Sequence, residues 1–445
     1  MRKTNILMGL MLMTAVTAYS QKQWTLQECI DYALANNISL KKSQLQQQSA
    51  TEDLKGAKAA LLPTFSASTN QSLGYQPWKD TGISTVTEGQ VYNKVDKTFY
   101  NGSYSVSGQW TVWNGGRKTN TIKLDRLAEQ QAGLATEETA NSIQERIAQI
   151  YAQILYLDES VRVSEQTLET GKKNEDRGRE MVEVGKMSKA DLAQLTAQRA
   201  SDEYNIVVEK TQLMNYKLQL KQLLEITDEA DFDVVVPEIS DEQVLSGIPA
   251  LQTVYENALL SRPEIERYQL AIKSNDVSLA IAKAGWAPSI SLTGGVTTST
   301  NSLNSNGWGT QIKNNVNSNI GIGVSVPIYD GRSTKTQVNK AKIQQLQGQL
   351  DLLEQQKTLY SDIQRYWIDA TSNQQKYKAA TASVESARQS YDLLSEQFRL
   401  GLKNIVELMT GKDNLLTAQQ QMLQAKYQTI YNKQILAFYQ GESIK

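Results

Sequence analysis

The side chains that could do chemistry in this chain are few, and their types narrow what chemistry is open. There is no histidine among the 445 residues and one cysteine, Cys29. A Ser-His-Asp triad, a Cys-His pair and the His/Cys zinc sites are therefore unavailable. A carboxylate-only mechanism remains open in principle, but no spacing of Asp and Glu points to one. Formal charge is −1, or −3 without Arg2 and Lys3, and shows no basic bias toward nucleic acid. Five methionines beyond residue 20 are thin provision for a soft-metal path. No cofactor and no metal site is expected. Two short polar segments stand out because they match each other. One is Val184-Gly185-Lys186-Met187-Ser188-Lys189-Ala190-Asp191, and the other is Leu400-Gly401-Leu402-Lys403-Asn404-Ile405-Val406-Glu407. Each has a glycine at the end of a long helix-forming run and a new amphipathic run after it.

The elements that carry these segments are also present twice. Residues 26–66 and 251–291 align without a gap, with 13 of 41 positions identical, where chance gives about two or three. Two units of about 220 residues lie in tandem, far longer than a solenoid repeat of roughly 20–50. The expected organisation is a signal peptide over 1–20, a first repeat over 21–230, a linking segment over 231–249 and a second repeat over 250–445. The leader reading rests on Arg2 and Lys3 before an apolar run from Ile6 to Val16, with Ala18 and Ser20 at a cleavage site. The run is too short for a spanning anchor, which needs roughly 20 residues. Cys29 lies too far past it for a lipid-modified N-terminus, and a lone cysteine leaves no intrachain disulfide.

Within each repeat the helices have related lengths. Ile143, Ile147, Ile150, Ile154, Leu157 and Val161 step by 4,3,4,3,4, a heptad seam. Ile343, Leu346, Leu350 and Leu353 repeat the spacing. From Asn114 to Val184 is about 70 residues, or roughly 105 Å of helix. The run after Gly185 is about half that, and so is the opening run Leu26–Lys58. The second repeat follows the same arithmetic, with Leu251–Ala284 as one opening helix. Each repeat thus predicts one long helix beside two half-length helices stacked end to end. Their Gln-, Ser-, Thr- and Ala-rich faces suit a wall with water on one side rather than a thick core.

After each opening helix the period changes to two. Tyr104, Val106, Gly108, Trp110 and Val112 alternate with polar residues, as do Ile320, Ile322, Val324, Val326 and Ile328. Weaker strands start at Pro63 and Ser289. Polar connections over 74–98 and 297–317 separate the members of each pair. Strands of about ten residues, apolar on one face, have the pattern of a membrane barrel. Trp78, Tyr100, Trp110, Trp113, Trp308 and Tyr329 near the strand ends would form its aromatic girdle. Four strands cannot close a barrel, and lipid tolerates no open edge, so several chains must share it. A soluble sheet packed on helices is the competing reading.

These features together resemble the TolC-like outer-membrane efflux proteins, over about residues 24–440. The carriers are Trp24-Thr-Leu-Gln-Glu-Cys-Ile-Asp-Tyr-Ala-Leu, the helix-to-strand junctions Ala60-Leu-Leu-Pro-Thr-Phe and Gly285-Trp-Ala-Pro-Ser-Ile, and the two glycine segments. The resemblance implies a mostly α fold with a small membrane β part: a tandem-duplicated helical barrel and four strands per chain. A homotrimer would then form a 12-stranded barrel in outer-membrane lipid and a periplasmic tunnel below it. It implies no enzyme. The chain would be a passive exit duct for drugs or other small molecules, serving a periplasmic adaptor and an inner-membrane transporter in a Gram-negative bacterium. Residues 232–237 and the acidic linker after them would gird the tunnel. Val184, Gly185, Ser188, Leu400, Gly401 and Asn404 carry over as adaptor-docking tips. Asp191, Lys403 and Glu407 carry over as a periplasmic gate, in which Asp191 and Lys403 attract one another and Glu407 contributes to a carboxylate ring. Phe398 and Thr410 depart from the best-gated pattern. A type I protein-secretion duct is the alternative, and a coiled-coil surface protein the more distant one.

Overall fold

A computed structural model describes residues 23–444 except 79–82, 88, 95 and 228–231; the expected signal peptide lies outside the described residues. The chain is mostly helical. The first repeat opens with β1 (Gln23–Trp24), α1 (Leu26–Asn36) and α2 (Ile38–Ala59). Then come β2 (Thr64–Tyr75), β3 (Ile83–Thr87), β4 (Gln90–Lys94) and β5 (Thr98–Trp113). The long α3 (Arg117–Glu183) and the return α4 (Lys189–Leu223) close the repeat. β6 (Asp233–Val234) and α5 (Asp241–Leu245) link to α6 (Leu251–Ser261), α7 (Pro263–Lys283), β7 (Ser289–Asn301), α8 (Trp308–Asn314) and β8 (Asn317–Ser325). The second long helix is α9 (Ser333–Arg399) and its return is α10 (Ile405–Tyr439). No described helix is long and apolar enough to cross a membrane.

The duplication is kept to the residue. α6 begins and ends 225 positions after α1 (251 against 26), and α9 and α10 begin and end 216 positions after α3 and α4 (333 against 117, 405 against 189). The shift between the two offsets falls in the strand region. There the first copy carries the extra antiparallel hairpin β3–β4, within the span expected as a polar connection. Gly89, at φ 80°, supplies its turn. The second connection also differs from expectation, because it contains α8.

Each opening helix is two helices, not one. In the second copy the cause is Pro263, which pushes the preceding Arg262 out of the helical region, to ψ 126°. The first copy breaks at the matching Asn37, ψ 129°, without a proline. There the Asn37 side chain accepts from the Ser39 and Leu40 amides and donates to the Leu223 carbonyl. It thus replaces the hydrogen bonds that the break removes.

The chain divides into two compact units. One holds residues 42–137 and 263–357, the other 1–41, 138–262 and 358–445. The first unit contains the antiparallel sheet, ordered β2-β5-β7-β8. Its register sorts side chains by face. Phe65, Gly108, Gly294 and Ile320 form one row and Trp110, Leu292 and Ile322 another. On the opposite face Ser66, Ser107, Gly295 and Asn319 align, as do Ser68, Ser105, Thr297 and Asn317. Serine hydroxyls bridge strands there, Ser66–Ser107 at 3.1 Å and Ser68–Ser105 at 2.7 Å. β8 stops at Ser325, short of the Val326–Ile328 continuation expected from its alternation. Pro327 lacks the N–H a ladder needs and restricts Val326 before it. In the same unit Ile343, Leu346, Leu350 and Leu353 of α9 are exposed along their seam.

The second unit holds most of the two long hairpins. The seam from Ile143 to Val161 is buried at all six positions. β1 pairs in parallel with β6, and the Tyr151 hydroxyl of α3 donates to Val235 O at 2.6 Å. α5 is held by its C-terminal carbonyls: Gln374 Nε2 donates to Val244 O and Ser246 O, and Lys433 Nζ donates to Gln243 O and Ser246 O. Cations and amides at a helix C-terminus satisfy groups that the helix leaves open.

Candidate functional site

Both hairpin turns have one construction. Two residues past the ends of α3 and α9 the chain turns on a glycine with left-handed φ, Gly185 at 70° and Gly401 at 74°. The Lys186 amide donates to Met181 O and the Gly185 amide to Val182 O, at 2.8 and 3.1 Å. The Leu402 amide donates to Gln397 O and the Gly401 amide to Phe398 O, at 2.9 and 3.0 Å. These are Schellman closures, in which glycine takes the left-handed position without a Cβ penalty. The glycines therefore end helices whatever else they do, and nothing lies within 4 Å of where their Cβ atoms would be.

The polar tip residues start the return helices. Ser188 Oγ accepts from the Asp191 amide at 3.0 Å and donates to Asp191 Oδ2 at 2.8 Å. Asn404 Oδ1 accepts from the Glu407 amide at 3.0 Å, while Glu407 Oε2 accepts from the Asn404 amide, a capping box. Lys403 Nζ lies 2.5 Å from Glu407 Oε1. That contact, with the Asn404 amide, holds the Glu407 carboxyl below its ordinary range. Within one chain, then, Lys403 pairs with Glu407 on its own hairpin, and Asp191 is held by Ser188 on the other. Around these polar groups stand exposed apolar ones: Val184, Leu400, Leu402 and Val406.

The turns are joined behind the tips. Leu195 of α4, Phe398 of α9 and Ile405 and Leu408 of α10 form one buried cluster, with Met187, Tyr391 and Met409 packed against it. Phe398 is therefore core to the tip. The arms of each hairpin run close. A Cβ on Gly178 would come within 2.7 Å of Leu195 Cδ1, and one on Gly411 within 2.7 Å of Leu394 Cδ1. A side chain at either position would make the facing leucine shift.

Further from the tips lies a charged network that the sequence analysis missed. Glu175 of α3, 2% exposed, accepts from Arg179 at 2.8 Å, Thr196 at 2.9 Å and Arg199 at 2.6 Å. The Arg179 hydrogen bond, joined by those of Thr196 and Arg199, holds the Glu175 carboxyl below the usual range against its burial. One turn on, Asp202 of α4 and Lys412 of α10 are buried and 2.5 Å apart. Gln198 donates to Asp202 at 3.0 Å and to Asp413 at 3.4 Å. Burial pushes the Asp413 carboxyl up. The sequence showed only polar residues on amphipathic helices, a pattern that exposed faces share.

A sequence profile described as outer membrane efflux protein matches residues 29–224 and 254–442, one stretch in each repeat. Toxin and drug export protein A of Aggregatibacter actinomycetemcomitans is 22% identical over 92% of this chain and 84% of its own length. Outer membrane efflux protein BepC of Brucella suis is 21% identical over 94% and 85%. Among solved structures, the channel CmeC of Campylobacter jejuni superposes with a TM-score of 0.77 at 20% identity, covering 94% of this chain and 86% of that one.

Proposed function

The chain belongs to the outer membrane efflux protein family, whose members are outer-membrane channels of Gram-negative bacteria rather than enzymes, and from that premise we propose that it works as a homotrimeric exit duct. The observation that carries the trimer is the unpaired surface of one copy. β2 and β8 leave free edges on an apolar-faced sheet, which lipid does not tolerate. On α9, Ile343, Leu346, Leu350 and Leu353 repeat the spacing of a packed seam yet stand exposed. On α4, Tyr204, Val207, Met214 and Leu218 do the same. Two further copies satisfy both: twelve strands close a barrel and the exposed seams pack on neighbouring hairpins.

The Ser/Thr/Asn face of the sheet then lines the lumen and the apolar face meets lipid. Transport through such a duct is passive. A periplasmic adaptor docks on Val184, Gly185, Ser188, Leu400, Gly401 and Asn404, and an inner-membrane transporter supplies energy and cargo choice. Asp191, Lys403 and Glu407 form the periplasmic gate, with Lys403 held between its own Glu407 and the Asp191 it faces when the aperture closes. The cargo class is drugs or other small molecules. Protein secretion is the second reading, favoured by the relative named for both toxin and drug export. Single-channel recording of the purified protein in a planar bilayer tests the proposal. Stable conductance steps without nucleotide or a proton gradient are expected, and an electrically silent protein would overturn it.

A further inference from the structure

The second strand connection is not a free loop. Its residues fold back onto β7 through several hydrogen bonds. The Asn301 amide donates to Gln311 Oε1 at 2.8 Å, and Gln311 Nε2 donates to Asn306 O at 2.6 Å. Thr298 Oγ1 donates to Ile312 O at 2.7 Å, and Asn315 Nδ2 donates to Ser299 O at 2.7 Å. Leu303 and Gln311 are buried as a result.

The register shows which face this lid of chain reaches. Tyr104 opposes Thr298, on the face that continues through Val106–Val296 to Trp110–Leu292. The Trp308 indole N–H donates to the Tyr104 hydroxyl at 3.2 Å, and the rings meet edge to face with centroids 6.1 Å apart. Trp308 therefore stands against the apolar face, not the Ser/Thr face. It is nonetheless 59% exposed. Lys313 of the same helix is also exposed.

The level along the strand is equally specific. Nine residues separate Tyr104 from Trp113 at the end that runs into α3. That is about 31 Å of strand, or about 23 Å of height at a tilt near 40°. The outward apolar band of an outer-membrane barrel is about 25 Å tall and is bounded by aromatic residues. If β5 crosses the membrane, Trp113 marks the periplasmic boundary and the Tyr104–Trp308 pair the outer one.

We infer that α8 is a membrane-interface element, lying against the outside of the barrel at the headgroup level of the outer leaflet. Trp308 anchors it among lipid headgroups, where an amphipathic ring is favoured, and Lys313 contributes a cation toward anionic headgroups. This rests on the barrel reading above and adds to it that the second outer connection is seated on lipid rather than standing in water.

The test is quenching of tryptophan fluorescence in the full-length protein reconstituted with spin-labelled lipids. Wild type, Trp308→Phe and Trp110→Phe are compared with labels near the headgroup and deep in the acyl region. The component lost in Trp308→Phe should be quenched roughly twofold more by the shallow label than by the deep one. In bilayers with anionic lipid, Lys313→Glu should reduce that shallow quenching. If the Trp308 component is quenched by aqueous iodide and by neither lipid label, while the Trp110 component still responds to lipid, the inference fails and the barrel stands. If neither component responds to lipid, the barrel reading fails with it.

Discussion

Asp202 and Lys412 meet at 2.5 Å with only 7% and 6% of their side chains exposed, one on the return helix of each repeat. The pair ties the two halves of the duplication together above the tips. Its Gln198 contact reaches on to Asp413, so the carboxylate is hydrogen-bonded as well as paired. Such a pair is costly to break from one side, because the surviving charge stays buried.

Replacing one partner should therefore hurt more than replacing both. Lys412→Met is expected to destabilise the helical region by about 3–5 kcal/mol. The double change Asp202→Leu with Lys412→Met should recover most of that loss. Thermal unfolding followed by helical circular dichroism checks both. Equal loss in the single and double variants would show that packing, not charge, is what Lys412 supplies.

Glu175 sets an acid dependence. Its folded pKa is depressed by Arg179, Thr196 and Arg199. A depressed carboxyl contributes stability that is fully present above the unfolded glutamate value and is lost as pH falls through the folded one. Proteolytic susceptibility of the first hairpin should rise as pH drops below about 4.5, and Glu175→Gln should flatten that rise. An unchanged profile in Glu175→Gln would assign the acid response to other carboxylates.

The two tip glycines give a functional prediction. Gly185→Pro and Gly401→Pro fix φ near −65° where the turn needs about +70°. The sheet lies in the other compact unit, so membrane insertion should persist while export falls to background. Drug accumulation in cells, read beside the amount of protein in outer-membrane fractions, separates the two. Normal export in either variant would remove that tip from the docking surface.

Asp191 and Lys403 should hold the aperture closed. At an effective dielectric near 20 and about 4 Å, the attraction is roughly 4 kcal/mol before costs. Exposed pairs net about 0–1 kcal/mol, and Lys403 must also be shared with Glu407, 2.5 Å away. Threefold repetition still leaves a bias of about 1–3 kcal/mol. Alanine at both positions should raise single-channel conductance, and high salt should move wild type the same way beyond bulk conductivity. If the double variant conducts as wild type does, other residues make the constriction.

What could be read from sequence follows from which physics is local. The seam Ile143–Val161 was legible because burial within one chain obeys helical period. The matching seam on α9 has the same period but is exposed in the single chain; period alone does not say who packs on whom. The break at Arg262 is local, because Pro263 excludes the helical region from the residue before it. The break at Asn37 depends on a side chain reaching the distant Leu223 carbonyl, which no local pattern reveals. The tip turns were visible as glycine after a long helix, but the Lys403–Glu407 contact competes with the Asp191–Lys403 pairing expected from family resemblance. The Asp202–Lys412 pair was invisible, because its members lie 210 residues apart.

One chain alone, on the function proposed above, is an incomplete channel. Native mass spectrometry of the detergent-extracted protein tests it most directly. A single dominant species at three times the mass of the folded chain is expected, persisting until the barrel is unfolded. A stable, folded monomer would contradict it, because the free edges of β2 and β8 and the exposed seams of α4 and α9 would then need no second copy.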